Sequence, residues 1–409
     1  MKYRFPRQEA CSNFYDTPTS KALAMLRWPL AMCILAVHWF SYSGVALTVG
    51  FDPDVAQLPV WKSVTGGIQA FLSENGVASF FFISGFLFFA GAEFTMERYG
   101  KKLKKRVRSL LVPYILWNLI TVGFLTLHYL PIFSGIFPRM QAEGFNMGWG
   151  DFLRGMLITT SPHNQNLWFI RELMMFVLVA PLLHTLLSRW PIVTIAAMFI
   201  SSVAVLPLDS LYLQQVTWGM LFFSIGSALA IRNCDLLRFA SEHLRGAIGA
   251  FFICDILCWI FRDTIPLLAA VFKLLSLMPV IVVALWVAGW FVTKKNKRAN
   301  IFLTEATFFV FVFHPLIISH FVMFLAKVIA PKTDLVITLV YFTGYFLLVA
   351  ILLGCYKLLA MVAPSVANIL TGRRSSKCHV KHSCPFAKGF LGRGEGRLWK
   401  EGGYLRRKR

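Results

Sequence analysis

An all-α bundle that crosses a membrane about ten times is the fold this sequence predicts, and three observations carry the prediction. Hydrophobic residues make up 57% of the chain and charged ones 15%, with a mean hydropathy of +0.63, a balance too apolar for a water-soluble domain. The apolar runs are about 20 residues long, the length that spans a hydrocarbon core, and short polar stretches separate them. Within each run hydrophobicity is continuous rather than alternating, which argues against strands whose lipid-exposed edges would leave backbone groups unpaired.

The spans fall at 22–47, 68–92, 109–130, 167–187, 191–206, 215–231, 246–261, 267–292, 301–329 and 335–362. The fifth and seventh are short, so nine or eleven crossings also fit. Lys and Arg outside the spans divide 31 to 5 between the two sides if the N-terminus is cytoplasmic, so the positive-inside rule puts both termini in the cytoplasm. The formal charge of +22 then reflects topology, and no nucleic-acid partner is expected. Residues 1–21 form a short cytoplasmic segment, 22–362 the membrane domain and 371–409 a basic, disordered tail beside anionic lipid. No cleavable signal peptide precedes the first span, because its apolar stretch is long and lacks a small-residue cleavage site. Cys33, Cys254, Cys258 and Cys355 lie in spans and Cys11, Cys234, Cys378 and Cys384 on the cytoplasmic side, which argues against a disulfide framework.

The first span reads LRWPLAMCILAVHWF over 26–40 and holds Arg27 and His38. Eleven residues on a helix turn about 20° past three revolutions and rise about 16 Å, so the two share one face, with Pro29 tolerated in a first turn. An arginine near a helix end can snorkel and a lone histidine can simply pack. Ionisable residues inside a span nevertheless point to function. The second span opens with Glu74 and Asn75, a polar cap or part of a binding site, and continues VASFFFISGF over 77–86. Gly-x-Ser-x-Gly is absent, so Ser84 and Gly85 read as close helix packing.

A basic run precedes the third span, in KRVRSLLVPYILW over 105–117. The longest outer loop ends in SPHNQNLWFIREL, where Trp168 either anchors at the interface or stacks on a sugar ring, beside His163, Asn164 and Asn166. Arg171 lies inside the membrane and must face a cavity or pair with Glu172 or Glu74. In FFVFVFHPLI over 308–317, Pro315 disfavours helical geometry at His314, and a break there exposes backbone to a cavity. Glu305 is half a revolution from His314 and does not orient it. In the tail, CHVKHSC has zinc-binding atoms, but spacing too tight to wrap a tetrahedron, and no metal site is assigned.

These stations, R-x10-H in the first span, then VASFFFISGF, KRVRSLLVPYILW, LWFIREL and FFVFVFHPLI, resemble in this order the integral membrane acyltransferase family 3. The basic pair Lys105 and Arg108 departs from the two arginines the family often carries. The resemblance implies transfer of an acyl group, usually acetyl, from cytoplasmic acyl-CoA to a hydroxyl of a sugar or surface glycan, with acyl-CoA a co-substrate rather than a resident cofactor. It also implies a multi-pass protein of a bacterial inner or plasma membrane.

A sugar hydroxyl is a poor nucleophile until a base takes its proton, and histidine is the side chain matched to that task near neutrality. His38 is the expected base, directly or as an acyl-imidazole, with His314 a second candidate. The polyanionic donor needs cations on the cytoplasmic side, for which Arg27, Lys105 and Arg108 are the candidates. Trp168, Arg171 and Glu74 are the candidate acceptor contacts. A transporter or flippase of glycan precursors would also bury ionisable groups, but such proteins often show inverted repeats, and none is visible here.

Overall fold

The computed structural model describes residues 17–50, 58–72, 75–91, 93–127, 148–158, 162–208, 210–329 and 333–372. Among them the regular elements are all helical. In chain order they are α1 Pro18–Gly50, α2 Pro59–Leu72, α3 Asn75–Phe89, α4 Met96–Arg106, α5 Val112–Leu127, α6 Trp149–Leu157, α7 Trp168–Leu178, α8 Ala180–Arg189, α9 Pro191–Ala204 and α10 Leu211–Ile231. Then follow α11 Leu236–Phe261, α12 Pro266–Thr293, α13 Ile301–Ile329, α14 Asp334–Val362 and α15 Pro364–Leu370. Residues 1–16 and 373–409, with Cys11 and the CHVKHSC stretch, and Glu74 lie outside the described residues.

Seven helical runs among the described residues are long and apolar enough to cross a membrane, and the α7–α8 pair, bent by 65°, makes eight if it is one span. The difference from the expected ten has local causes. The second expected span is divided, since α2 ends at Leu72 and α3 has only 15 residues. The sixth, α10, has 21 residues but carries Gln214, Gln215, Thr217, Ser224 and Ser227, which dilute its hydropathy. The basic run expected as a loop is helical: α4, a π-helical turn Val107–Leu111 and α5 form one run of 32 residues, Met96–Leu127.

Several helix starts are written in the sequence. Thr95 Oγ1 accepts the Arg98 N–H at 3.3 Å, and Asp235 Oδ1 accepts those of Leu237 and Arg238, each meeting donors that have no partner within the helix. Pro191, Pro266 and Pro364 open α9, α12 and α15, where a missing N–H costs nothing. Asp334, the first residue of α14, caps a different helix: its carboxylate accepts the Val60 and Trp61 N–H groups of α2 at 2.7 and 2.9 Å.

α1 is the axis of the bundle, packed by α13, α12, α3, α2 and α14. It begins at Pro18 rather than near residue 22, so Pro29 is interior and not in the first turn. Trp39 is fully buried and its indole N–H donates to the Tyr341 carbonyl at 2.9 Å, while the Tyr345 hydroxyl donates to the Met32 carbonyl at 2.9 Å. These two bonds tie α1 to α14 across an otherwise apolar seam.

α3 and α10 cross at their small residues. A Cβ on Gly85 would strike the Phe223 carbonyl, and a Cβ on Gly226 would strike the carbonyl of Phe82. The two backbones approach this closely because neither glycine has a side chain, the packing mode expected of Ser84 and Gly85.

Gly85→Ala and Gly226→Ala are each expected to destabilise the bundle by about 1–3 kcal/mol through overpacking. Gly123→Ala, whose new methyl meets nothing within 4 Å, should be neutral or gain up to about 1 kcal/mol. Thermal unfolding in detergent compares them, and three equal midpoints would refute the close crossing.

Candidate active site

The site is built on a defect in α13. Pro315 has no N–H, so the carbonyl of Phe311, one turn earlier, has no helical donor. Despite this α13 runs unbroken from Ile301 to Ile329, rather than breaking at the proline. Asn166, in the short 3-10 turn Gln165–Leu167 ahead of α7, meets the orphan: its Nδ2 donates to the Phe311 carbonyl at 3.0 Å. Asn164 donates through Nδ2 to the next carbonyl, Val312, at 2.8 Å and to Thr121 Oγ1 at 3.2 Å.

Asn166 Nδ2 also lies 2.9 Å from His314 Nε2. Because a carbonyl only accepts, the bond to Phe311 fixes which end of the amide is nitrogen, and Nε2 must then be the ring's acceptor. The proton of His314 is on Nδ1, which donates to the Val310 carbonyl at 2.9 Å. His314 is 1% exposed, and both its nitrogens are committed to the protein.

His38 differs. Its ring centroid is 5.4 Å from that of His314, tilted by 43°, and neither of its nitrogens is hydrogen-bonded among the described residues. It is half-buried and lines a cavity of about 290 Å³ together with Asn166, Trp168, Trp218, Gln214, Gln215, Ser202 and Lys273. The indoles of Trp168 and Trp218 meet edge to face at 6.0 Å. The walls also include Val77 at the start of α3, Leu206 and Leu211 around the α9–α10 connection, and Ala270 near the start of α12. The cavity therefore lies at that end of the bundle. A second cavity, about 370 Å³, is lined by Phe89, Glu93, Phe94, His184 and Asn233 at the far end of α3.

The structure thus brings His38, His314 and Trp168 together. The other candidates lie elsewhere. Arg27 is exposed on α1 with no ion pair or hydrogen bond among the described residues. Lys105 is exposed at the end of α4 and Arg108 in the π turn; neither lines the cavity. The α4 run belongs to the opposite end, where Lys102 Nζ donates to the Phe88 carbonyl and the Tyr99 hydroxyl to that of Leu178. Arg171 is buried, paired with Glu172 at 2.9 Å and set over the Tyr212 ring at 5.0 Å. It takes the pairing alternative rather than the cavity, since an unpaired buried guanidinium is costly. His163 stacks on Phe152 at 5.1 Å, away from the cavity.

Sequence reasoning missed Trp218, Gln214, Gln215 and Lys273. Lys273 carried the signal that singled out Arg27, an ionisable residue inside an apolar run. The glutamine pair opens a span, where polar residues are common, and no local pattern marks it.

The sequence matches the acyltransferase 3 family, described as an acyltransferase domain, over residues 21–356. It is similar to the succinoglycan biosynthesis protein ExoH of Rhizobium meliloti (strain 1021), 26% identical over 345 residues that cover 78% of this chain and 86% of the relative. No solved structure matches.

Asn166→Leu leaves the Phe311 carbonyl buried without a donor and is expected to cost about 1–3 kcal/mol. In a Pro315→Ala background the restored N–H takes that carbonyl, so the cost of Asn166→Leu should fall by about 1 kcal/mol. A double-mutant cycle on thermal midpoints measures the coupling. Strict additivity would separate Asn166 from the proline.

Proposed function

Because the chain belongs to the acyltransferase 3 family, we propose that it is a membrane O-acyltransferase moving an acyl group, acetyl in the simplest case, from acyl-CoA to a hydroxyl of a sugar in a surface glycan or its precursor. The observation that carries this reading is His38: an imidazole with neither nitrogen hydrogen-bonded among the described residues, opening on a cavity walled by two tryptophans and three carboxamides, and backed by a second histidine whose own nitrogens are occupied. The succinoglycan in the relative's name supports the choice of acceptor.

The reaction follows from these groups. His38 takes the proton of the acceptor hydroxyl as its oxygen attacks the thioester carbonyl. The tetrahedral intermediate collapses with loss of the CoA thiolate, which recovers the proton from the imidazolium. His314, whose two nitrogens are bonded to Asn166 and the Val310 carbonyl, acts as a positioning residue that fixes the ring of His38 from behind. Arg27, on the same face of α1 about 16 Å along the axis, meets the donor's phosphates, and Lys105 and Arg108 draw that polyanion to the basic end of the bundle. The pantetheine arm then runs along α1 toward His38. Trp168 contacts the acceptor ring. Arg171, committed to Glu172, packs α7 against α10 through the Tyr212 ring, and Glu74 remains a candidate acceptor contact. With the basic end cytoplasmic, the acceptor enters from the outer side.

His38→Gln keeps the size of the side chain but removes the base, so acyl transfer should fall by roughly 10² to 10⁴ with acyl-CoA affinity nearly unchanged. Wild-type transfer should rise with pH and level off once the imidazole is neutral. A well-folded His38→Gln protein transferring at the wild-type rate would overturn this assignment. For the donor, Arg27→Ala is expected to weaken acyl-CoA binding by about 1.5–3 kcal/mol, the usual worth of a hydrogen bond to a charged group. Equal affinities on titration would remove Arg27 from the donor site.

A further inference from the structure

We propose that Gln215 determines acceptor specificity: its carboxamide oxygen accepts a hydrogen bond from a hydroxyl of the acceptor ring other than the one acylated. The protein then prefers a ring polyol to a mono-alcohol of the same shape. The inference rests on the acyl-transfer reading above and deepens it.

Five side chains, Asn75, Asn164, Glu172, Gln215 and Tyr341, hold a buried oxygen with no hydrogen-bond partner among the described residues. Of these, Gln215 is the one that belongs to the lining of the His38 cavity. It is 8% exposed. Buried oxygens of this kind are few in folded proteins, and each calls for a reason. A carboxamide oxygen can only accept, so its complement is an O–H or N–H group brought from outside, and a carboxylate or phosphate oxygen would be repelled.

The rest of the cavity says which donor fits. Trp168 and Trp218 are each half-buried and their planes meet at 70°, a corner of two apolar faces with polar edges. A pyranose offers the matching pair of surfaces, an apolar C–H face and a rim of hydroxyls. At about 290 Å³ the cavity is at the small end of ligand pockets, about 300–1,000 Å³, which suits one ring rather than a length of polymer. His38 and Gln215 thus present two acceptors to one ring. His38 takes the proton of the reacting hydroxyl, and Gln215 holds a second hydroxyl that keeps its proton.

The test uses the full-length protein in lipid nanodiscs, since sugar-headed detergents would compete. The probes are methyl β-D-glucopyranoside and tetrahydropyran-2-methanol, the same ring with a single hydroxyl. Binding is read by tryptophan fluorescence, and transfer by thiol release from acetyl-CoA. The wild type is expected to bind the pyranoside about tenfold more tightly, the worth of one hydrogen bond. In Gln215→Leu and Gln215→Met this preference should shrink to below about threefold, by loss of pyranoside affinity alone. Acetyl-CoA binding should be unchanged and the thermal midpoint equal or higher, because a buried unpaired acceptor is gone. Wild-type preference retained in both variants, or no preference in the wild type, overturns the proposal. Thiol release with both probes but without discrimination removes Gln215 and leaves acyl transfer standing. Discrimination in binding without any thiol release supports the role of Gln215 in recognition and removes acyl transfer instead.

Discussion

A single carbonyl without a helical donor organises this site. In water the orphan carbonyl of Phe311 would be solvated; inside a membrane bundle it must find a donor within the protein. Asn166 supplies that donor. The same nitrogen sets the tautomer of His314, so one amide couples the backbone defect to the histidine pair. The bond also draws the start of α7 against α13, and with it Trp168 into the wall of the cavity. Removing the proline would make the asparagine redundant for the backbone while leaving the histidine less constrained.

Rigidity around His38 has a second source. Its helix is held along its length by neighbours that cannot slide: Trp39, the next residue, is locked by the Tyr341 carbonyl, and Tyr345 reaches back to Met32. Where α3 passes α10 the backbones touch through Gly85 and Gly226, which brings Val77 and Trp218 to the same cavity. A base must lie within hydrogen-bond reach of the group whose proton it takes, about 2.6–3.2 Å between heavy atoms, and packed helices hold such a position better than loops do.

The fold class was legible because hydrophobic length is a strong signal, and the ionisable residues of α1 because charges inside apolar runs are rare. Arg27, His38 and His314 stand out for that reason. The span count was less legible. α3 is too short to be measured by length, α10 is diluted by glutamines that line the cavity, and the α7–α8 bend falls at Val179, two residues before Pro181, inside an apolar run that reads as one span. Trp218 and Gln215 were illegible for a different reason. Their meaning comes from α10 lying beside α7 and α12 at one end of the bundle, a long-range fact that no local pattern records. The π turn at Val107–Leu111 was hidden too, since its sequence is indistinguishable from ordinary helix.

The two ends of the bundle differ in a way that bears on the proposed reaction. Around the cavity the polar groups are mostly neutral, carboxamides and indoles together with Lys273, whereas the α4 end carries Lys101, Lys102, Lys104, Lys105, Arg106 and Arg108 in close succession. In the proposed reaction a polyanionic donor and a hydroxylated acceptor would therefore be favoured at opposite ends, and neither would compete for the other's site. Under that arrangement the acyl group is the one fragment that must reach both, and His38, on the cavity wall about three turns of α1 from the exposed Arg27, stands where the two would meet. A carrier moving whole sugars would instead need a path wide enough for the ring along its whole length. The full burial of Trp39 beside His38, and of Phe81 and Phe82 midway along α3, argues against such a path on these faces of the two helices.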